Sequence, residues 1–386
     1  MIKQLIIPKI SLRSLIFILI LIVYCITASE TQGLTYSYIK YLFLLFGIFI
    51  ESIYFFQKKY KNIYCKDEFF GLVIFAAVAF FYSLMHFIIS SHFSISVLKE
   101  LFFLIMPIIY SFLHINNSSI KEFHNCIVIS FILSFYIYIS SLNMSVSEII
   151  NALFNSNFIN SNSDLESSIF SGISLGFAVY FIFKNNKIFK FLSILFVFMT
   201  FKRFSIFIVI ILYLISFKKR YLIKKVDNKF LIITSITLFL TTIVYYFILN
   251  PLNLASLESI LNVDMSKFTM TRSDRFESLY FSNYISYGFG SSNEFMNIIF
   301  NGTLEMDLIR IIVELGYLPL LLFIYFYLKL GKNNNYIFIF MLLRLFSMNF
   351  TSNLTSVMSW VISLSVMFSI IKENKIDEII SNNTSL

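Results

Sequence analysis

Long apolar runs, separated by short polar segments, follow one another along almost the whole chain. The runs are continuous and do not alternate with polar residues, which is typical of membrane-spanning helices and not of barrel strands. The pattern therefore predicts an all-α fold, a polytopic transmembrane helical bundle of about 12 spans. The predicted bounds are 12–28, 39–56, 69–89, 98–115, 125–142, 168–183, 188–201, 204–217, 230–249, 308–328, 336–350 and 354–371.

Composition places the chain outside the soluble class. It is 58% hydrophobic and 13% charged, with a mean hydropathy of +0.81, whereas soluble domains are about 45–50% apolar and about 25% charged. Residues 1–386 are therefore predicted to form a single integral membrane domain. Its one long polar interruption is a loop at 250–307, between spans nine and ten.

The net charge of +9 follows the predicted topology. Most lysines and arginines fall in segments on one side of the predicted spans, while 143–167 on the other side contains none. Because basic residues concentrate in cytoplasmic loops, both termini are predicted to be cytoplasmic, with 143–167 and 250–307 outside. The positive charge is thus explained by the basic residues of the cytoplasmic segments, and no nucleic-acid partner is expected.

The stretch "MTFKRFSI" places Lys202 and Arg203 side by side between two apolar runs, on the predicted outer face. One interpretation is a pair of snorkelling side chains that contact lipid phosphate. The other is a fixed cationic site for an anionic substrate, since a guanidinium can bind phosphate through two parallel hydrogen bonds.

The outer loop carries "TMTRSDRFESLYFSNYISYGFGSSNEF" followed by "NGTLEMD". Its predicted site residues are Arg272, Asp274, Arg275 and Glu305. Loops of this length in compact proteins are commonly functional. Phe276, Tyr280 and Tyr284 follow helical spacing, which predicts one face of a helix lying along the membrane, either as an interfacial aromatic belt or as a surface that stacks on sugar rings.

Three ionisable residues follow in "DLIRIIVE", at the start of the tenth predicted span. Asp307, Arg310 and Glu314 are spaced to share one helix face. Ionisable groups in a span are costly and face a cavity or a partner. The alternatives are a substrate-binding face and a self-neutralised structural network that includes Arg344.

These features together resemble the O-antigen polymerase (Wzy) type, within the O-antigen ligase and polymerase superfamily of multispan glycosyltransferases. The resemblance lies in the basic outer turn, the long outer loop with "SDRFES" before a G-x-G turn, and the helix carrying "ELG". It implies elongation of a surface polysaccharide at the outer face of the bacterial inner membrane, from repeat units on undecaprenyl pyrophosphate. It also implies that Arg203 and Arg275 are essential, and we expect them to clamp one pyrophosphate.

The implied chemistry needs no cofactor and no metal, because the donor carries a pyrophosphate leaving group. Arg203 and Arg275, with Lys202 or Arg272, would stabilise the departing charge. Glu305, Asp307 or Asp274 would take the acceptor proton. Tyr280, Arg310 and Glu314 are assigned to substrate binding.

Other functions remain open beside this interpretation. A lipid-linked oligosaccharide flippase or other transporter would carry many charged residues deep in its spans and keep its loops short. An O-antigen ligase would carry a histidine where this chain reads "NGTLEMD". The expected partners are the lipid-linked oligosaccharide, membrane lipid, and a chain-length regulator and flippase of the same pathway.

Overall fold

The computed structural model is helical throughout the residues it describes, and these contain no β-strand. An all-helical fold was predicted from the continuous apolar runs and is confirmed for this part of the chain. The described residues are 11–29, 38–57, 62–90, 94–155, 165–218, 223–262, 264, 266, 269 and 271–384. The predicted outer segment 143–167 is described only in part, because 156–164 lie outside these ranges.

Seventeen helices follow in chain order within the described ranges. They are Leu12–Ser29 (α1), Ile39–Gln57 (α2), Lys66–Ser90 (α3), Ile95–Asn117 (α4), Ile120–Ser141 (α5), Val146–Asn155 (α6), Ser168–Lys184 (α7), Lys187–Met199 (α8), Arg203–Ile215 (α9), Asn228–Ile248 (α10), Pro251–Leu261 (α11), Arg272–Phe281 (α12), Ser291–Phe300 (α13), Asp307–Leu315 (α14), Tyr317–Lys329 (α15), Asn335–Ser347 (α16) and Val357–Thr384 (α17).

Helix length and apolarity agree with a membrane protein. Among the described helices, α2, α3, α4, α5 and α10 are long and apolar enough to cross a membrane. Apolar segments of α1, α7, α9, α15 and α16 are shorter. The count of about 12 spans stays a prediction.

The tenth predicted span, 308–328, is divided into α14 and α15 at Gly316. Gly316 has φ of +92° and ψ of −175°, a backbone conformation that is essentially restricted to glycine. A Cβ atom at this position would meet no atom within 4 Å, so conformation and not space requires the glycine. The charged segment and the apolar segment of this span are therefore two separate helices.

Among its described residues, the predicted outer loop at 250–307 contains the helices α11, α12 and α13, and α14 begins at its end. The predicted aromatic stripe is only partly helical. Helix α12 ends at Phe281, so Phe276 and Tyr280 share it while Tyr284 lies in the turn that follows. The extension of one helical face to Tyr284 was wrong, because Asn283 adopts a left-handed conformation with φ of +49° that ends the helix.

The chain divides into two compact units. Unit 1 comprises residues 1–66, 106–219 and 358–386. In this unit α1 packs against α2 and α5, and α7 packs against α8 and α9. Gly172 and Gly176, one turn apart on α7, face Ser359 and Ile362 of α17, and a Cβ atom at Gly176 would lie 2.7 Å from Ile362 Cγ2. Small residues at this spacing allow two membrane helices to approach closely.

Unit 2 comprises residues 67–105 and 220–357. In this unit α10 packs against α15, and α14 contacts both α15 and α13. Phe75 of α3 packs on Phe323 of α15, with ring centroids 4.7 Å apart and both side chains fully buried. The three helices after α10 lie in this unit, and one of them, α12, carries Arg272, Asp274, Arg275 and Tyr280 of the predicted site.

Candidate functional site

Two arginines on one face of α12 meet a single carboxylate. Arg275 Nη1 lies 3.1 Å from Glu305 Oε1, and Arg272 Nη2 lies 3.6 Å from Glu305 Oε2. Each arginine also donates to a backbone carbonyl, Arg275 to Thr303 at 2.6 Å and Arg272 to Thr269 at 2.9 Å. Spacing of three residues along a helix places the two guanidinium groups side by side. We call Arg272, Arg275 and Glu305 the arginine–glutamate cluster.

Unusual backbone conformations flank the cluster. Thr271, directly before Arg272, has φ of +64°, and Glu305 has φ of +57°. A β-branched residue rarely adopts a positive φ, and each such conformation costs on the order of 1–3 kcal/mol. Strained residues of this kind concentrate at functional sites, where the surrounding structure holds them in place.

The cluster is open to solvent on one side. The side chains of Arg272 and Arg275 are 18% and 19% exposed, and that of Glu305 is 40% exposed. An incoming anion could therefore reach both guanidinium groups. The planar guanidinium suits phosphate because it can donate two parallel hydrogen bonds.

Asp274 and Tyr280 lie on the same helix but have different surroundings. Asp274 accepts hydrogen bonds from the Ser266 hydroxyl at 2.7 Å and the Ser273 hydroxyl at 3.2 Å. A carboxylate in the first turn also complements the helix dipole. Tyr280 is 43% exposed and its ring meets Phe281 edge-on at 5.6 Å. Asp274 thus supports the start of α12, and Tyr280 presents an aromatic surface.

A second charged group lies around the glycine turn that precedes α13. The Glu314 carboxylate accepts from the backbone N–H of Gly290 at 2.7 Å and of Ser292 at 3.0 Å, and from the Ser292 hydroxyl at 2.6 Å. Backbone N–H groups at a helix N-terminus form a natural anion site. Glu314 fills this site with a carboxylate of the same chain.

The turn depends on Gly290 itself. Gly290 has φ of +106°, and a Cβ atom there would lie 2.5 Å from Glu100 Cγ. Tyr284 forms a hydrogen bond with Ser291 in the same turn. Burial and the nearby Glu314 charge raise the pKa of the Tyr284 hydroxyl above its usual value, so this hydroxyl keeps its proton.

Arg310 joins the Glu314 carboxylate to that of Glu100. Its Nε lies 3.2 Å from both oxygens of Glu314, and its Nη2 lies 3.0 Å from Glu100 Oε2. The guanidinium also lies over the Phe289 ring, 4.6 Å from its centroid. Arg310 and Glu314 are each 1% exposed, so this network is closed to solvent around the arginine.

Asp307, the first residue of α14, binds backbone groups of the segment that follows α16. Its Oδ2 accepts from the backbone N–H of Asn353 at 2.5 Å and of Leu354 at 2.7 Å, and its own N–H donates to the Thr351 carbonyl at 3.2 Å. Asp307 is 1% exposed. It joins the start of α14 to the segment after α16. Asp307, Arg310 and Glu314 all lie on α14, and all three are buried.

The basic turn of the opening stretch lies in unit 1. Phe201 has φ of +51°, Lys202 precedes α9 and forms an ion pair with Glu166, and Arg203 is the exposed first residue of α9. The Ser167 N–H donates to the Thr200 carbonyl at 3.3 Å. The turn therefore lies beside the end of the predicted outer segment 143–167.

Tyr138 of α5 fixes the same region. Its buried hydroxyl lies 2.8 Å from the Leu165 carbonyl oxygen and 2.7 Å from the Met199 carbonyl oxygen. Arg203 belongs to unit 1 and Arg275 to unit 2, and the expectation that they clamp one pyrophosphate stays a prediction.

Two glutamates with buried partners were not singled out by the sequence analysis. Glu100 is the partner of Arg310, and Glu51 of α2 lies 2.7 Å from the Nδ1 atom of the fully buried His114. Each glutamate interrupts an apolar run, in "VLKELFFLIM" and "LLFGIFIESIYFF". An isolated acidic residue in such a run is itself a signal for a buried partner.

Within the described residues, no group of three or more His, Cys, Asp or Glu side chains is arranged to hold a metal ion. Comparison with known proteins finds no matching family model, no matching curated protein and no matching solved structure. The geometry of the arginine–glutamate cluster and the sequence resemblance are therefore what a functional assignment can draw on.

Proposed function

We propose that this chain is a membrane glycosyltransferase that joins oligosaccharide repeat units carried on a polyprenyl pyrophosphate. The product would be a surface polysaccharide made at the outer face of the bacterial inner membrane. The observation that carries the proposal is the arginine–glutamate cluster, in which two partly exposed arginine side chains share one carboxylate. The resemblance to polysaccharide polymerases agrees with the chemistry that such a cluster could perform.

The two arginines would bind the pyrophosphate of the donor. Glu305 forms an ion pair with each guanidinium, and it is the most exposed member of the cluster at 40%. A pyrophosphate that approaches from solvent would carry more negative charge than this carboxylate and would compete for the same donors. Preorganised cations of this kind stabilise charge that develops on a leaving group.

The reaction is a displacement at the anomeric carbon of the donor sugar. A hydroxyl oxygen of the acceptor unit forms the new bond to that carbon, while the bond from the carbon to the pyrophosphate oxygen breaks. The electron pair of the broken bond goes to the pyrophosphate, which stays between Arg272 and Arg275. The hydroxyl proton goes to the Glu305 carboxylate, which acts as the general base.

Among the carboxylates predicted as the base, Glu305 has surroundings that suit the role best. Asp307 is buried and its Oδ2 already accepts two backbone N–H groups. Asp274 accepts two serine hydroxyls at the start of α12. Glu305 is the one of the three that lies directly between the arginines and faces solvent.

The test is the glycan made by cells of the source organism from which this gene has been deleted. We expect single capped repeat units in place of long chains, and restoration of the full ladder when the gene is returned. Loss of all surface repeats would instead indicate a flippase or a ligase, and an unchanged ladder would overturn the proposal.

Variants then test the cluster, with protein levels matched by immunoblotting. Arg275→Lys keeps the charge and loses the second parallel hydrogen bond, so we expect short or absent chains. Glu305→Gln should also lose polymer at normal protein level. Glu277→Gln, on the same helix and outside the cluster, is the matched control and should give the wild-type ladder. Wild-type ladders in Arg275→Lys and Glu305→Gln together would remove the cluster from the mechanism.

Arg203→Lys extends the same comparison to the basic turn. If Arg203 binds phosphate through two hydrogen bonds, lysine should shorten the polymer. If Arg203 contacts a lipid headgroup as a point charge, lysine should be tolerated.

A further inference from the structure

A cleft of about 400 Å³ opens in unit 2 between the beginning of α3 and the end of α15. In the predicted topology these helix ends are cytoplasmic, whereas the proposed reaction site is on the outer side. Its volume lies within the range of small-molecule sites, about 300–1,000 Å³. Gly71 allows α3 and α15 to approach each other closely at the base of the cleft, since a Cβ atom at this position would lie 2.9 Å from the Phe326 ring.

The cleft carries charges of both signs. Lys329 ends α15 and Lys332 follows it, and within the described part of the chain neither ammonium forms an ion pair. Asp67 on the facing side is exposed and likewise forms none there. Glu68 is buried and accepts from the Asn333 side chain at 3.3 Å, so it holds the two sides of the cleft together.

One wall of the cleft is apolar and exposed. Phe70 and Ile74 line it from one face of α3 and are 50% and 45% exposed. They belong to a helix of 25 residues that is apolar enough to cross a membrane. An aromatic ring, Phe326, lies beneath the Lys329 ammonium at 5.9 Å. The cleft therefore places a polar end and an apolar wall together at the end of a membrane helix.

We propose that this cleft binds the headgroup of a zwitterionic phospholipid that carries a primary amine, such as phosphatidylethanolamine. Lys329 and Lys332 receive the phosphate, Asp67 receives the ammonium, and the acyl chains run along Phe70 and Ile74. A purely anionic headgroup would leave Asp67 without a cation and place negative charge beside it. A choline headgroup has no N–H group to donate to the Asp67 carboxylate.

The test uses the full-length chain, purified in detergent and melted with defined lipids. Phosphatidylethanolamine should raise the melting midpoint by roughly 5–10 °C near saturation, and more than phosphatidylcholine or phosphatidylglycerol of the same acyl chains. Equal shifts from all three lipids, or none from phosphatidylethanolamine, would overturn the proposal. An equal shift from soluble phosphoethanolamine or inorganic phosphate would also overturn it, because the site would then bind free phosphate.

Variants locate the effect. The double variant Lys329→Gln, Lys332→Gln and the single variant Asp67→Asn should each remove the preference for phosphatidylethanolamine. Lys229→Gln, at the start of α10 and outside the cleft, is the matched control and should keep it. Retention of the preference in the double variant and in Asp67→Asn would place the lipid elsewhere.

Discussion

Replacing Gly290 by alanine tests whether the glycine turn holds Glu314 and its arginine in place. A non-glycine residue at φ of +106° costs about 1–3 kcal/mol. The new methyl group would also lie 2.5 Å from Glu100 Cγ and 2.8 Å from its Cβ, and overpacking of this kind adds about 1–3 kcal/mol. Both terms raise the energy of the folded state, so the free energy of unfolding should fall by about 2–6 kcal/mol.

The assay is thermal melting of the full-length chain, fused to a fluorescent protein and followed by size-exclusion chromatography in detergent. A loss of this size should lower the melting midpoint by roughly 4 °C or more for a unit of 150–250 residues. Gly302→Ala is the matched control in the same unit, because the nearest atom to its new Cβ, the Phe300 carbonyl oxygen, is 3.8 Å away. Equal midpoints in the two variants would refute the steric reasoning and the role of the turn.

Three further results are expected. Tyr138→Phe should lower the melting midpoint by removing a buried hydroxyl that two carbonyl groups share, a loss of about 1–3 kcal/mol, whereas Tyr136→Phe, 68% exposed, should not. Asp307→Ala should be less stable than Asp307→Asn by about 1–3 kcal/mol, because asparagine keeps an oxygen for two backbone N–H groups; equal melting would contradict this. A reporter enzyme that works only outside the cytoplasm should be active when fused at Asn301, and activity of a cytoplasmic reporter there would reverse the topology.

Local patterns predicted the helical class, and they offered a self-neutralised network of Arg310 and Glu314 as one of two alternatives. Every predicted apolar run except the tenth lies mainly on a single helix, so its helical character was predictable without any knowledge of tertiary contacts. The pairing of Arg310 with Glu314 followed from a spacing of four residues, which places two side chains on neighbouring turns. Both features depend on residues that are close in sequence.

Features that depend on distant residues could not be predicted in this way. Glu100 contacts Arg310 across 210 positions, and neither local sequence indicates the other residue as its partner. Glu305 folds back on Arg275 through a left-handed conformation that no residue preference signals. The two backbone N–H groups after α16 that bind the Asp307 carboxylate lie 46 and 47 positions away, beyond the reach of helical spacing.

The division of the tenth span at Gly316 has a consequence for how this chain can change in evolution. In an unbroken helix with 3.6 residues per turn, one inserted residue rotates every later side chain by about 100°. Here α14 and α15 meet at a glycine whose surroundings leave open space, so a length change at that junction need not rotate one helix relative to the other. A change in length at this junction can therefore leave the contacts of Arg310 and Glu314 in α14 in place while α15 keeps its own register.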